Sequence, residues 1–187
     1  CVLNVQSDRE TIDGLEFSCD EYTPTSWWIS PQGYRGTCTL FTREQSLSVN
    51  YIADDKSSIM VRLDTDTALY QVLTTIEAKV KAASPDPSTT NDLISHPDEG
   101  SKYSPSFKLK CVYTQWHDAD GKSITKEEAL STRGRLLSYV MQIYRLNKFR
   151  GRYYFAVVLK SAKVGPPAEP RTGAGGGGAA TDYSELL

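Results

Sequence analysis

Basic and aromatic side chains lie next to one another at several places in the sequence. Aromatic faces stack on nucleobases at about 1–3 kcal/mol per base, and Lys and Arg pair with phosphates, so this mixture is typical of single-strand binding surfaces. We predict that basic residues contact phosphate and that nearby aromatic residues stack on bases. The predicted phosphate contacts are Lys108, Lys110, Arg145, Lys148, Arg150 and Arg152, and the predicted stacking residues are Tyr34, Trp116, Tyr144 and Phe149.

Each of these aromatic residues has a second interpretation. In a half-buried strand successive side chains face opposite ways, so an aromatic ring can belong to the core while its charged neighbours face water. The adjacent pair Trp27 and Trp28 shows the problem, because one ring can lie in the core while the other points outward. Both interpretations remain open at this stage, and for this pair the exposed member remains undecided.

Motifs that carry catalysis are poorly supported. Residues 173–178 match G-x-G-x-x-G, but they follow a Pro-rich stretch and not a strand, and they lack a following helix. Residues 123–126 match S-x-x-K without its companion motifs. The two histidines, His96 and His117, both lie in loop-like sequence. We therefore expect a binding protein and not an enzyme, and we expect it to need no cofactor.

Metal and disulfide chemistry are also weakly indicated. The four cysteines are Cys1, Cys19, Cys38 and Cys111, and none forms a C-x-x-C pair. His117 with Asp118, Asp120 and Cys111 matches no usual zinc or calcium spacing. We expect no metal site and reduced, partly buried thiols in an intracellular protein, although an even number of cysteines leaves disulfides possible.

Charge is unevenly distributed along the chain, although the net charge of the 187 residues is −2. Residues 1–101 hold 7 basic and 16 acidic side chains, whereas residues 102–164 hold 13 basic and 4 acidic ones. Segregation of this kind can create one positive face on a nearly neutral protein. The alternative is that the two halves interleave in the fold and their charges mix.

The elements that must position these residues are mainly strands. Residues 37–41 and 46–52 have β character, with Leu47, Val49 and Tyr51 expected on one side of the second strand, and residues 59–63 alternate in the same way. Residues 67–82 are predicted to form one amphipathic helix with Asp66 as its N-cap. Its apolar stripe recurs at spacings of three and four residues and consists of Leu69, Val72, Leu73, Ile76 and Val80.

The C-terminal half is expected to contain a long hairpin with a positively charged tip. It consists of two β-branched and aromatic runs, residues 135–144 and 153–159, around a basic turn. Residues 84–106 are rich in Pro, Ser and Asp, and we expect a mobile loop there. We predict a β-barrel binding domain over residues 1–164, and a flexible Pro/Gly-rich tail over residues 165–187.

The order of these parts resembles that of replicative single-stranded DNA-binding proteins of bacteriophages, particularly the short-tailed coliphage type. The resemblance covers about two-thirds of the chain. It is carried by a strand that leads into the helix, the Pro-rich loop, and the strands and basic turn that follow. The matching segments are residues 58–63, 107–111, 134–140 and 153–164, with the helix, loop and turn between them.

This resemblance implies an OB-type five-stranded barrel with insertions and a role in viral DNA replication or recombination. It also implies single-stranded DNA as partner, and an acidic tail that contacts replication proteins and competes with DNA. Here the tail carries only Asp182 and Glu185 after its glycines, which departs from the family's strongly acidic tails. The expected location is an infected host cell, with no secretion and no membrane association, and homo-oligomers are possible.

A structural protein of a virion is the alternative. Many short strands, Pro-rich loops and a Gly-rich tail also suit a capsid component with a β-sandwich fold. The missing basic arm argues mildly against direct packaging of a genome. A virion role predicts large assemblies, whereas a single-strand binder predicts a monomer or a small oligomer.

Overall fold

The computed structural model describes residues 1–131 and 133–166, and they form a mainly β protein. The first half contributes six strands, each rich in β-branched or aromatic residues. These are β1 (Val2–Asn4), β2 (Phe17–Thr23), β3 (Ser26–Pro31), β4 (Cys38–Thr42), β5 (Leu47–Ile52) and β6 (Ser58–Arg62). The second half contributes five more. These are β7 (Ser106–Lys110), β8 (Gln115–His117), β9 (Ser123–Ile124), β10 (Arg135–Phe149) and β11 (Arg152–Gly165).

Five of these strands close into a ring, in the order β10, β5, β6, β7, β11 and back to β10. All contacts in the ring are antiparallel except that of β7 with β11, which is parallel. The ring matches the predicted OB-type five-stranded barrel, and closure removes exposed strand edges. The described residues form one connected sheet and not the two facing sheets of the alternative β-sandwich.

The remaining strands extend the ring along its outside. β4 and β3 both pair with β10, β2 pairs with β3, and β1 pairs with β4. On the other side β8 pairs with β11 and β9 pairs with β8. The long hairpin of β10 and β11 therefore belongs to the barrel over one part of its length and to the β2–β3 extension over another.

The basic segment of the chain forms a contiguous part of this barrel. β7, β11 and β10 are neighbours in the ring, and all three lie within residues 106–165, which is the basic segment and the one residue that follows it. β5 and β6, from the acidic half, form the rest of the ring. Strands from the basic segment and strands from the acidic half therefore occupy different parts of the barrel, so the separation of charge along the sequence is partly kept in the fold.

The predicted amphipathic helix is α2 (Ala68–Ala83), and its five predicted core residues are all buried. The cap differs from the prediction, because the Thr67 hydroxyl, and not Asp66, accepts the backbone N–H of Tyr70 at 3.3 Å. Two further helices are short, α1 (Arg9–Gly14) and α3 (Lys126–Ala129). No helix in the described ranges is both long and apolar enough to cross a bilayer.

Strand β5 differs from the prediction that Leu47, Val49 and Tyr51 lie on one side. Leu47 and Val49 are buried, but Tyr51 is half exposed instead of joining them. The register of β5 on β6 shifts between Val49 and Tyr51, and such a bulge turns the following side chains to the other face.

The Pro-rich segment after α2 is tied to the barrel at several points. Glu77 on α2 accepts the backbone N–H groups of Leu93 and Ile94 at 2.8 and 2.9 Å, and both of these residues are buried. Asn91 donates its backbone N–H to Tyr153 on β11 at 2.9 Å. A short 3-10 turn, Pro87–Thr89, lies between these anchors and the helix. Mobility of residues 84–106 stays a prediction, as does the division at residue 164; residues 167–187 of the predicted tail lie outside the described residues.

Candidate nucleic-acid interface

The tip half of the β10–β11 hairpin presents a row of alternating cationic and aromatic side chains. Strand alternation places every second residue of β10 on its outer face, next to the residue that pairs with it on β11. The three cross-strand pairs on this face are Arg145 with Ala156, Asn147 with Tyr154, and Phe149 with Arg152. Phe149 is 60% exposed and Tyr154 is 40% exposed, so two ring faces here are available to a ligand.

A bulge in β10 adds a further ring to this face. Ile143 and Leu146 are both fully buried, although an alternating strand would place residues three apart on opposite faces. The pairing register shifts between Ile143 and Arg145, which leaves Tyr144 as the extra residue. The bulge therefore puts Tyr144 and Arg145, two consecutive residues, on the same outer side.

Arg145 is the centre of a cluster of three aromatic rings. Its guanidinium carbon lies 4.2 Å from the ring centroid of Trp28, 5.1 Å from that of Tyr22 and 5.3 Å from that of Tyr144. Trp28 packs against Tyr22 at 5.2 Å between centroids and against Tyr144 at 6.2 Å. We call Tyr22, Trp28, Tyr144 and Arg145 the aromatic–arginine cluster.

The backbone explains why these four residues meet. Trp28 on β3 pairs directly with Arg145 on β10, so their side chains share one face. Tyr22 lies at a register shift of β2 against β3, between Glu21 and Thr23. Two bulges, one on either side of β3, thus turn Tyr22 and Tyr144 toward the same guanidinium.

The electrostatics of the cluster leave its positive charge available. Within the part of the chain that the structure describes, every ion pair uses another cation, namely Arg9, Arg62, Lys79 or Lys81. The Nε atom of Arg145 is buried and has no hydrogen-bond acceptor among the described residues. Aromatic faces attract a guanidinium without neutralising it, so Arg145 is held in place while its charge stays free for an anion.

The tip of the hairpin is a tight turn with a cation at its apex. Arg150 has φ of 49° and Gly151 has φ of 79°, the pair of positive angles that a two-residue hairpin turn requires. The Arg150 guanidinium carbon lies 5.1 Å from the ring centroid of Phe149. Lys148 donates its backbone N–H to Thr25 at 2.8 Å, which ties the tip to the turn between β2 and β3.

Lys148 itself points to the other side of the hairpin. Its ammonium lies 5.3 Å from the ring centroid of Tyr153, its cross-strand partner, and Tyr153 packs edge-on against Trp27 at 4.9 Å. Trp27 and Tyr153 are both buried. Lys148 is therefore an exposed cation above the core side of the hairpin, separate from the aromatic–arginine cluster.

The two predicted lysines of β7 lie on the outer face of the barrel. Lys110 is next to Val158 in the parallel pairing of β7 with β11. Lys108 is two residues earlier in β7 and Ala156 is two residues earlier in β11, so these two lie at the same level of the barrel. Ala156 pairs with Arg145, so β11 lies between the lysines of β7 and the cluster.

Comparison with known proteins yields matches in structure and none in sequence. No protein-family model matches the chain, and no curated protein matches it. The single-stranded DNA-binding protein of bacteriophage Enc34 superimposes with a TM-score of 0.54 at 14% identity, over 91% of this chain and 98% of that one. This chain has the fold of a phage single-stranded DNA-binding protein.

Two further structures of the Enc34 protein give the same result. Its complex with single-stranded DNA has a TM-score of 0.51 at 12% identity, over 83% of this chain and 98% of that one. A C-terminal truncation has a TM-score of 0.51 at 13% identity, over 82% and 97% of the two chains. The resemblance inferred from the order of sequence elements is thus confirmed at the level of the fold.

Within this phage-type fold, the predicted residues fall into three groups. Arg145, Tyr144, Phe149 and Arg152 share the outer face of the hairpin with Arg150 at its tip, while Lys108 and Lys110 follow on the adjoining strand. Lys148 lies on the opposite side. Tyr34 is in the turn after Pro31, at the end of β3 remote from the hairpin tip, and is 46% exposed.

Trp116 is a correction to the sequence-based prediction. It is only 4% exposed, and its indole nitrogen is buried without a hydrogen-bond partner among the described residues. β8 pairs with β11 through Trp116 and Ala162, which directs the indole into the core. A ring in this position is inaccessible to a base, so Trp116 is a core residue.

Three aromatic residues of the interface were missed or left undecided. Trp28 is the partly exposed member of the tryptophan pair. Ile29 gives the signal, because strand alternation puts Trp27 on the same face as the buried Ile29 and Trp28 on the other face. Tyr154 follows from the same alternation along β11. Tyr22 has no such signal, since its position depends on an irregular register.

Two of the cysteines are protonated thiols in the folded protein near neutral pH. Burial raises the pKa of the Cys38 and Cys111 thiols to about 11, so neither is a ready thiolate nucleophile. All four cysteines are free thiols. In residues 1–131 and 133–166, no three His, Cys, Asp or Glu side chains are grouped as a metal site would require.

Proposed function

We propose that this protein binds single-stranded DNA along the outer face of the β10–β11 hairpin and the adjoining part of the barrel. One observation carries the proposal. Arg145 lies within about cation–π distance of three aromatic rings on an accessible face and has no carboxylate partner among the described residues. Tyr22 is exposed and Trp28 and Tyr144 are partly exposed, so a cation without a carboxylate partner and accessible ring surfaces lie together in one place.

The proposed contacts divide by chemistry. Cations pair with phosphates, and rings stack on bases without needing a particular sequence. The phosphate contacts are Lys108, Lys110, Arg145, Arg150 and Arg152, with Lys148 at the margin. The proposed stacking residues are Tyr22, Trp28, Tyr144, Phe149 and Tyr154. Tyr34, which was predicted from the sequence, lies away from this face and is left out of the proposal.

A single strand fits this surface better than a duplex does. The faces of paired bases are covered by their neighbours in the stack, so a protein ring reaches them only after the strands separate. At the cluster, β3 and β2 widen the β10–β11 hairpin into a four-stranded sheet, which is broader than the two-stranded ribbon that a major groove admits.

We further propose a non-catalytic role in viral DNA replication or recombination, in an infected cell, as a protein that coats exposed single strands. The similarity to structures of the Enc34 single-stranded DNA-binding protein, one of them in complex with single-stranded DNA, supports this assignment. Contacts of the C-terminal tail with replication proteins, and homo-oligomer formation, belong to the same proposal.

The test is fluorescence anisotropy of a labelled oligo-dT strand, with a labelled duplex of matched length measured in parallel. We expect the single strand to bind at least about tenfold tighter, and its affinity to fall as a power of salt concentration. Equal affinity for the duplex, or binding that ignores salt, would overturn the proposal. A capsid role would instead give large assemblies and no selective binding.

A further inference from the structure

A second surface lies on the same outer face of β10 and β11, toward the opposite end from the hairpin tip. Val140 pairs with Phe41 on β4 and with Ser161 on β11, and these three line the floor of an open groove. Arg43 and Lys163 line it as well, and His117 pairs with Lys163 across β8 and β11. We call this surface the lower groove.

The charge of the lower groove is positive. Neither Arg43 nor Lys163 takes part in an ion pair within the described ranges. Lys163 is held against the backbone of the β8–β9 turn, since a Cβ built on Gly121 would lie 3.3 Å from its Nζ atom. The two cations therefore stand beside an apolar floor, which is the combination found in the aromatic–arginine cluster.

Three carboxylates are close in the chain to residues that line this surface: the exposed Glu44, which follows Arg43, and Asp118 and Asp120 of the β8–β9 turn. Asp118 is occupied by the turn itself, because its Oδ1 atom accepts the backbone N–H groups of Asp120 and Lys122 at 3.0 and 2.8 Å. Asp120 is exposed in the turn and has no ion-pair partner among the described residues. The turn thus reduces the positive potential only at one margin.

The lower groove is continuous with the cluster. Ser138, Val140 and Gln142 alternate with the buried residues of β10 and so share the outer face that leads to Arg145. The register of β11 shifts between Leu159 and Ser161, which leaves the exposed Lys160 as the extra residue beside this path. Cations therefore accompany the outer face over much of the hairpin's length.

We infer that the lower groove binds a second segment of the same DNA strand that the cluster engages. Arg43, Lys160 and Lys163 contact its phosphates, while Phe41 and Val140 pack against its bases. This inference rests on the proposed single-strand binding and extends its footprint. The positive charge of the lower groove complements the phosphates of DNA, and the groove is continuous with the cluster. Both features favour the same DNA strand as its occupant.

Strand geometry sets the length of DNA that is needed. From Arg145 to Ser138 is seven residues of β10, or about 23 Å at about 3.3 Å per residue. At about 3.4 Å or more per nucleotide, no more than about seven nucleotides cover that distance. A strand of about three nucleotides is too short to reach from the cluster to the lower groove, whereas one of about sixteen spans both surfaces and is within the usual range for such barrels.

The experiment compares these two lengths of labelled oligo-dT on the full chain, for the wild type and for the double variant Arg43→Ala/Lys163→Ala. We expect the variant to bind the short strand as the wild type does. It should bind the long strand about tenfold or more weakly at low salt, with a salt slope lower by about 1.4, the loss of two phosphate contacts on a single strand. The matched control, Arg35→Ala/Lys102→Ala, removes two cations outside both surfaces and should leave both lengths unchanged.

The outcomes separate the two proposals. Unchanged binding of the long strand by the folded variant, checked by its thermal melting, overturns the lower-groove inference and leaves single-strand binding standing. Equal losses on both lengths also overturn it, since the groove would then not be a separate segment of the path. If the wild type binds neither length, the proposed function itself fails.

Discussion

The guanidinium carbon of Arg145 lies 4.2 Å from the ring centroid of Trp28, and the two residues are cross-strand partners on β10 and β3. A planar guanidinium can stack on a ring while it keeps donors for an oxygen acceptor, which an ammonium does less well. The geometry of this pair therefore requires a guanidinium at Arg145 and an aromatic ring at Trp28.

Replacing Arg145 by Lys and by Ala separates charge from shape. Arg145→Lys keeps the charge but loses the planar contact with three rings, so we expect oligo-dT affinity to fall by about tenfold with little change in salt slope. Arg145→Ala should weaken binding further and also lower the slope by about 0.7. Salt titrations of anisotropy measure both quantities. Identical slopes for the two variants would show that Arg145 contacts no phosphate.

Removing an exposed ring of the cluster should weaken binding without unfolding the protein. We expect Tyr22→Ala to cost about 1–3 kcal/mol of binding free energy, the usual worth of one stacked base. Tyr34→Ala is the matched control, because Tyr34 is also exposed but lies in the turn after β3. If Tyr34→Ala costs more than Tyr22→Ala, the strand follows another face of the protein.

We expect Arg150, in the turn at the hairpin tip, to lower the stability of the protein and to contribute to DNA binding. Arg150 adopts φ of 49°, which costs a residue with a Cβ about 1–2 kcal/mol relative to glycine. We expect Arg150→Gly to raise the melting temperature by about 2–4 °C per kcal/mol gained and to weaken oligo-dT binding. Differential scanning calorimetry and anisotropy on the same sample decide the matter. A variant that melts higher and binds equally well would remove Arg150 from the interface.

The thiols give a prediction that is independent of DNA. Burial raises the pKa of Cys38 and Cys111 to about 11, so these groups stay protonated in the folded protein near neutral pH. We expect both to resist alkylation by iodoacetamide at about pH 8 and to react once urea unfolds the chain, where their pKa returns to about 8.5. Peptide mass spectrometry reads out each cysteine. Rapid native labelling of Cys111 would contradict the burial of this residue directly after β7.

Regular strands and the helix were the predictable part of this structure. The stripe from Leu69 to Val80 has the period of a helix, and residues 59–63 have the period of a strand, so local pattern fixes which side faces the core. The hairpin tip follows from a basic, Gly-containing turn between two β-rich runs. The closed ring was predicted only from the resemblance to phage single-stranded DNA-binding proteins. Its parallel pairing of β7 with β11 joins segments about fifty residues apart that share no local signal.

Only part of the candidate interface could be predicted, because local sequence pattern does not report contacts between distant strands. Arg145, Tyr144 and Phe149 were identified because cations and rings are adjacent in the sequence. Tyr22 comes from a strand more than a hundred residues away and is brought in by a bulge, which the sequence pattern does not reveal. Trp116 shows the opposite error, since its basic neighbours in the sequence do not determine which way its own strand faces.

The three tryptophans allow the most direct test of the central claim. Trp27 and Trp116 are buried, and Trp28 lies in the cluster. We predict that oligo-dT quenches the intrinsic fluorescence of the wild type, and that Trp28→Phe abolishes most of this quenching while anisotropy still detects binding. Quenching that persists undiminished in Trp28→Phe would contradict the placement of the DNA on this face.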